Sequence, residues 1–471
     1  MVVNICLERR WADESEDDEG WTSEAMQELN EKLYPETESL RDVERFLESM
    51  TSNESASSWE NEKENRDESK MREARTLLSK VETITRMELP IQIRARKAAA
   101  KALLIEYLNE GNNDVLEDAF VEAVKLDPDN RQCWNGVAKA LWKKGDLQSA
   151  QLCYQKSLEN SRDKKAYQDL SMLQRQLAKG EKHEESKKMI EESLSNAKAA
   201  VSLDVQDSHS WFILGNAYLV LAFSTATGER DELINKSLKT YKHAMKVHES
   251  ENFNADLKFN YGVVSKYLER HTDALDAFDY CDRVEPELNA GEEINEIVHK
   301  LSQLTILVNT KCGVKAKRIA KIQEDIGALE KRRNRDPGKN LLRTLPLRSL
   351  SFGENPSGVA LTCSLICTVP VKSQVPLMYI CMDSQGSFFA LTIYGLEESE
   401  MPLRHSKSKT LQICGPSLNN VNVTWQNKTY AFPSIRVNKV SSLLVDGKPV
   451  VSESRNSDDK GSNVRVIATT S

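Results

Sequence analysis

Two sets of charged side chains in this 471-residue sequence are spaced to do chemistry. Arg175 and Asp256 fall, in the repeat register set out below, at helix positions that do not pack against a neighbouring helix. Opposite charges a short arc apart suit a ligand carrying both signs, because each charge finds a hydrogen-bonded partner. Each can equally pair with a side chain beside it. The second set is Lys311, Lys315, Lys317, Arg318 and Lys321, a single-signed cluster. Most charge runs are solvated faces, but phosphate backbones attract such a cluster by counterion release, so RNA or a ribosome is the partner class it fits. Amide side chains at equivalent helix positions, Asn135 and Asn216, can hold a peptide backbone without reading its sequence. No phosphate loop, HExxH or GxSxG pattern is present, and the seven His are scattered. Of the nine Cys only Cys363 and Cys367 lie close, at a spacing that fits no zinc site. The expectation is a binding protein with no catalytic residues, metal or cofactor.

Apolar spacing is helical from about Met71 to Leu307, and it repeats with a period of about 34 residues, the tetratricopeptide period. A unit from Lys97 carries Leu103 and Tyr107, then Gly111 at its turn, Phe120 and Ala123 on its second helix, and Pro128 at its exit. The next, from Arg131, carries Trp134, Val137, Ala138 and Leu141, then Gly145, Ala150 and Tyr154. Others begin near Lys164, Ser208 and Ala255. In the fourth, "STATGERDEL" reads as an insertion that delays the second helix. Two helices alone cannot bury their apolar faces, whereas stacked pairs can. Small residues (Ala138, Ser171, Gly215, Gly262) mark where the two helices of a pair cross closely. In this register Asn135, Lys139, Trp142, Arg175, Asn216 and Asp256 line the concave groove.

Flanking segments differ in texture. Residues 1–70 carry 21 Asp/Glu against 8 Lys/Arg and read as an acidic, largely flexible N-terminal region, with a weakly amphipathic stretch through Leu40, Val43 and Phe46. Residues 71–310 form the repeat solenoid, closed by a capping helix over 291–309. Residues 311–350 are a basic helix or linker, with 12 Lys/Arg against 4 Asp/Glu over 311–348. From 351 to 454, short β-branched and aromatic runs bounded by Gly, Asn, Asp and Ser predict five or six strands, enough for a small barrel. "QN" after Trp425 and "DSQG" before Ser387 suit tight turns. Residues 455–471 read as a disordered tail. No apolar run approaches the length of a membrane span or a signal peptide, so neither a membrane nor secretion is expected.

The segments "LWKKGD", "DLSMLQRQL", "SWFILGNAYLVLAFST", "GVKAKR", "DSQGSFFALTIY" and "LLVDGKPV" occur in the order found in the tetratricopeptide repeat protein 5 (Strap) family, which the chain resembles over most of its length from the first repeat to the C-terminus, the acidic head and the linker at 331–350 being much less similar. The resemblance implies an α+β multidomain fold, an α-solenoid of tetratricopeptide repeats followed by a C-terminal OB-fold β-barrel. It implies a cytoplasmic and nuclear protein that recognises the Met-Arg-Glu start of nascent α- and β-tubulin. The protein would contact rRNA and proteins near the ribosomal exit tunnel, then trigger decay of the tubulin message through an adaptor linked to the deadenylase machinery. By this resemblance Asp256 takes the nascent Arg, Arg175 takes the nascent Glu, Asn216 holds the backbone, and Lys315 and Lys317 touch the ribosome, with Lys311 and Arg318 beside them. Asp169 stands where the family has Asn. The resemblance also implies an alternative: a nuclear stress-response scaffold bridging transcription cofactors and acetyltransferase coactivators. A cochaperone for acidic C-terminal peptides is a third reading, but it needs cations on several first helices, and only Lys139 and Arg175 supply them. Few basic residues interleave with the barrel's aromatics, so the barrel is expected to dock on the ribosome rather than to bind nucleic acid.

Overall fold

A computed structural model describes residues 34–53, 68–84, 91–108, 113–159, 161–225, 227–247, 254–334, 342–370, 376–396, 401, 410–445 and 448–450. The chain divides into two compact units, residues 1–217 with 243–254 and residues 218–242 with 255–471. The expected tail at 455–471 and the acidic run before residue 34 lie outside the described residues.

In the first unit, helix pairs follow the expected period: α3 (Ile91–Leu108) with α4 (Asn113–Leu126), α5 (Arg131–Lys144) with α6 (Leu147–Leu158), and α7 (Lys164–Leu177) with α8 (His183–Leu203). Local chemistry sets their ends. The Asn130 side chain accepts from the Cys133 N–H at 3.2 Å and starts α5. Gly145, at φ 87, ends it in the left-handed region, and the Asp146 N–H reaches back to the Leu141 carbonyl. Asp146 then caps α6 through Ser149, so "GD" is a helix stop followed at once by a helix start. Part of the acidic head is ordered. Tyr34–Asn53 is a helix, α1, and with α2 (Glu68–Thr83) it buries Leu40, Val43 and Phe46 against Leu77, Val81, Leu104 and Leu108. The expected flexible region therefore contains a helix, because its sparse apolar residues fall on one face that the first repeat needs covered.

Successive pairs approach closely at Gly136, where a Cβ would lie 2.4 Å from the fully buried Phe120 ring. In the second unit the close approach is within one pair, where a Cβ at Gly262 would lie 2.9 Å from the Phe278 ring.

Helices α9 (Ser208–Ser224) and α10 (Thr227–Val247) carry the expected insertion, but not as a loop. Its residues lengthen both helices. Arg230 donates to the carbonyls of Ala222 (3.1 Å) and Thr225 (3.4 Å), closing the end of α9.

The second unit continues with α11 (Ala255–Tyr267), α12 (His271–Val284), the capping helix α13 (Ala290–Asn309) and α14 (Ala316–Asn334). The barrel strands are β1 (Arg343–Thr344), β2 (Gly353–Glu354), β3 (Val359–Thr368), β4 (Leu377–Asp383), β5 (Phe388–Ile393), β6 (Thr410–Cys414), β7 (Ser417–Trp425), β8 (Lys428–Val437), β9 (Leu443–Val445) and β10 (Lys448–Pro449). Among these described strands, β1, β2 and β10 are two-residue pieces too short to read from periodicity. The barrel also begins before 351: β1 pairs with β3, and Leu347 and Leu350 enter its core. One strand turned at Gly415–Pro416 closes the sheet. Its first half, β6, pairs with β3, and its second half, β7, pairs with β8. Gly415 supplies the positive φ of 58 that the corner needs. The predicted turns are present: Gln426 and Asn427 both have positive φ. Asp383, fully buried, accepts from the N–H groups of Leu347 (2.9 Å), Gln385 (3.0 Å) and Ser387 (2.7 Å).

Both faces of this barrel are apolar. Tyr379, Cys381, Phe389, Leu391 and Ile435 fill its interior. Met378, Ile380, Met382, Phe388, Ala390, Tyr430 and Phe432 point the other way and share one cluster with Ile297, Leu301, Leu304 and Val308 of α13. The capping helix thus covers the last helix pair and the barrel together. A buried polar clasp adds to it. The Arg436 guanidinium lies 4.0 Å from the Tyr394 ring centroid and 5.1 Å from that of Tyr267, and it donates to the Tyr267 carbonyl. The Tyr394 hydroxyl donates to the same carbonyl at 3.1 Å. Burial, then the nearby Lys300 cation, pushes His271 down to about 4.

Gly136→Ala is expected to cost about 1–3 kcal/mol through overpacking against Phe120, and Phe120→Leu in the same chain should recover part of it; urea denaturation of the three variants checks both. His271 is neutral when folded, and His209 is pushed the same way by burial, to about 3. Both take up a proton more readily when unfolded, so stability is full above about pH 6.5 and falls as pH drops toward the folded values. Between pH 7.5 and 5.5 each should remove about 1 kcal/mol, and His271→Gln should shrink the drop seen in denaturation midpoints.

Candidate functional site

Helix α7 buries polar residues where a repeat helix ordinarily buries apolar ones: Gln168, Asp169, Ser171 and Gln174 are all under 5% exposed. Each has a partner that explains it. Gln168 donates to the Asp207 carboxylate and to the Ser210 hydroxyl, both at 2.7 Å. Gln174 donates to Glu192 at 3.1 Å and accepts from Asn196 at 2.8 Å. Asp169 accepts from the Tyr154 hydroxyl at 3.3 Å, and burial followed by this carboxylate pushes that phenol well above its usual range. Asp169 is thereby tied to the core.

Arg175 sits half-buried in the last turn of α7. Its Nη1 donates to the Ser171 hydroxyl at 2.9 Å, the Ser171 carbonyl at 3.2 Å and the Ser193 hydroxyl at 3.1 Å. Asn216, expected at an open groove position, is 2% exposed. It lies on α9, whose apolar residues are spread around the helix rather than along one stripe, and its neighbours Phe212, Ile213, Ala217 and Leu219 are buried with it. Arg175 and Asn216 belong to the first unit. Asp256 belongs to the second, half-buried in the first turn of α11, where a carboxylate suits the positive end of the helix dipole. Burial, with Asp256 adding to it against the Lys258 cation, pushes the Cys281 thiol up to about 12. The groove positions of the second repeat serve the fold. Lys139 pairs with Glu106 at 2.9 Å, and Trp142 donates to Gln176 at 2.8 Å while its ring meets Tyr154 edge-on. Among the described residues the buried Asn135 side-chain oxygen has no hydrogen-bond partner.

The basic cluster stays together. Lys311, Lys315, Lys317, Arg318 and Lys321 are all exposed, at the turn into α14 and on its first turns. Lys311, Cys312 and Gly313 are consecutive left-handed residues, at φ 54, 52 and 66. Each non-glycine residue there costs about 1 kcal/mol. The Gly313 and Val314 N–H groups bond back to Thr310 and Lys311, both at 3.0 Å. The Cys312 sulfur lies 3.3 Å from that of Cys367, just past a bulge in β3. Cations at a helix N-terminus oppose its dipole by about 0.3–1 kcal/mol each. Neither the backbone nor the charges here serve stability.

Sequence reasoning missed the clasp around Arg436, the Ser171–Ser193 contact and the covered outer face of the barrel. OB-folds commonly bind ligands on the face of their second and third strands. Here those strands are β4 and β5, and their outward side chains are buried with α13. Among the described residues no group of His, Cys, Asp and Glu could hold a metal ion, and no helix is long and apolar enough to cross a membrane.

Residues 342–458 match the family model described as the tetratricopeptide repeat protein 5 OB fold domain. Mouse tetratricopeptide repeat protein 5 is 33% identical over 347 residues, covering 71% of this chain and 76% of that protein. The human protein is 31% identical over 350 residues, covering 72% and 77%. Among solved structures, YrrB, described as a TPR protein with an unusual peptide-binding site, is 18% identical over 43% of this chain and 91% of its own, with a TM-score of 0.33. Repeat pairs, closing barrel and relatives agree: this chain belongs to the tetratricopeptide repeat protein 5 family.

Proposed function

We propose that the protein is a ribosome-associated recognition factor that binds the Met-Arg-Glu start of nascent tubulin and triggers decay of the message being translated, through an adaptor to the deadenylase machinery, in the cytoplasm and the nucleus. It acts by binding, with no chemistry of its own. The observation that carries the reading is the exposed cluster of Lys311, Lys315, Lys317, Arg318 and Lys321 at the start of α14. These cations are concentrated against the helix dipole, beside a strained turn, where folding gains nothing from them. Such a site is suited to a phosphate-rich surface. Family membership supports a protein-interaction role for the repeats. Arg175 and Asp256 are assigned to the peptide from repeat register and resemblance, Arg175 to the nascent Glu and Asp256 to the nascent Arg. Asn216 keeps its assignment as a backbone holder only where its surroundings open to admit a peptide. The barrel contributes through surfaces other than its covered strand face.

A labelled Met-Arg-Glu-Ile peptide should bind the full chain, and Asp256→Lys should abolish that binding in fluorescence anisotropy; unchanged affinity removes Asp256 from the site. Lys315→Glu with Lys317→Glu should reduce co-sedimentation with ribosomes and lower the salt slope by about 1 for each phosphate no longer neutralised. Equal pelleting at every salt concentration argues against the cluster.

A further inference from the structure

Two backbone irregularities in the second unit bring a pair of thiols together. Along β3, Val359, Leu361, Cys363 and Leu365 alternate into the barrel interior. Strand alternation alone would send Cys367 the same way. The bulge between Leu365 and Cys367 breaks that register, and Cys367 joins the outer cluster beside Ile366 instead. Cys312, at a left-handed φ of 52, packs on the same outer cluster. The two sulfurs end 3.3 Å apart. A disulfide needs about 2.05 Å between its sulfurs, so a movement of little more than about 1 Å joins them. Access separates this pair from another. Cys363 and Cys381 share a side-chain hydrogen bond, but both are fully buried. Cys312 and Cys367 are only partly buried, so a small reagent can reach them. Burial, then the bond to Cys367, pushes the Cys312 thiol up to about 12, so the pair reacts slowly near neutral pH.

The geometry points to Cys312 and Cys367 as a site of reversible oxidation by hydroperoxides, whose disulfide pins the basic turn to β3 and strengthens its contact with a phosphate-rich partner. One sulfur attacks hydrogen peroxide. An S–O bond forms, the O–O bond breaks, and the departing hydroxide leaves as water with that thiol's proton. The second sulfur then displaces the hydroxyl of the sulfenic acid. The S–S bond forms, the S–O bond breaks, and the hydroxyl leaves as water with the second thiol's proton. Both sulfurs are oxidised and both peroxide oxygens reduced. A dithiol reverses the link by becoming a disulfide itself. The link acts on strain, because Lys311 and Cys312 are both left-handed, and each such residue is biased toward relaxation by about fivefold. A covalent tie at Cys312 opposes that relaxation, and a pre-organised site binds more tightly. This consequence rests on the ribosome reading of the cluster made above; the oxidation does not.

The full chain is treated with hydrogen peroxide and then freed of it. One portion is digested without reduction for mass spectrometry, and another is sedimented with ribosomes. A peptide joining Cys312 to Cys367, lighter by two hydrogens than its two parts, should appear and should vanish with dithiothreitol. Ribosome association should rise by about fivefold on oxidation and return on reduction. Cys367→Ser, which lies outside the basic turn, should associate as the reduced protein does and ignore peroxide. Absence of the joined peptide overturns the oxidation site. A joined peptide with unchanged or weaker association, or an equal response in Cys367→Ser, overturns the pinning role. Reduced protein that does not sediment with ribosomes at all overturns the reading of the cluster, while the joined peptide still decides the thiol chemistry.

Discussion

Two helices approach only as closely as the side chains at their crossing allow, and this limit governs most of the molecule. Gly136 admits the Phe120 ring, and Gly262 admits Phe278. At the crossing of α7 and α8 the small residues are serines, and they do more than make room. Each hydroxyl bonds across the gap to the other helix. A glycine there would allow the same approach but could hold nothing. The close packing of the two helices within this pair is, at this crossing, also what holds the Arg175 side chain that is proposed to meet a peptide.

The second unit meets a different problem. A stack of amphipathic pairs ends on an apolar face, and a closed barrel with a second apolar face has the same need. Helix α13 answers both. Its stripe of Ile297, Leu301, Leu304 and Val308 lies in one cluster with Phe278 of the last pair and with Met378, Ile380 and Phe432 of the barrel. The strand face that many such barrels offer to nucleic acid is therefore used to build the protein. Arg436, which lies against the rings of both Tyr394 and Tyr267, gives this contact a directional, polar component that apolar burial lacks.

The basic turn ahead of α14 stands apart from this economy. Left-handed φ at Lys311 and Cys312 and the cations that follow both oppose the local structure. Sites that keep such features against stability are candidates for binding, and here strain and charge coincide in one exposed turn.

Spacing alone determined the helix pairs, because a Trp, a small residue and an aromatic at fixed intervals record which faces must meet, and that pattern is local. Hairpin turns were legible for the same reason, since "QN" and "DSQG" carry their geometry in their own residues. So was the basic cluster, which needs only neighbours in sequence. Tertiary structure decided what depends on partners far along the chain. It extended α9 and α10 through an apparent insertion, because Arg230 caps carbonyls that no periodicity reveals. It buried Asn216, which spacing places at an open groove position. It drew a helix out of the acidic head, where three apolar residues sufficed once a repeat needed covering. It also turned Ser171, which spacing marks only as small, into half of a hydrogen-bonded exchange with Ser193, 22 residues away. A sequence records which residues can pack or donate, and only the fold settles which acceptor each donor meets.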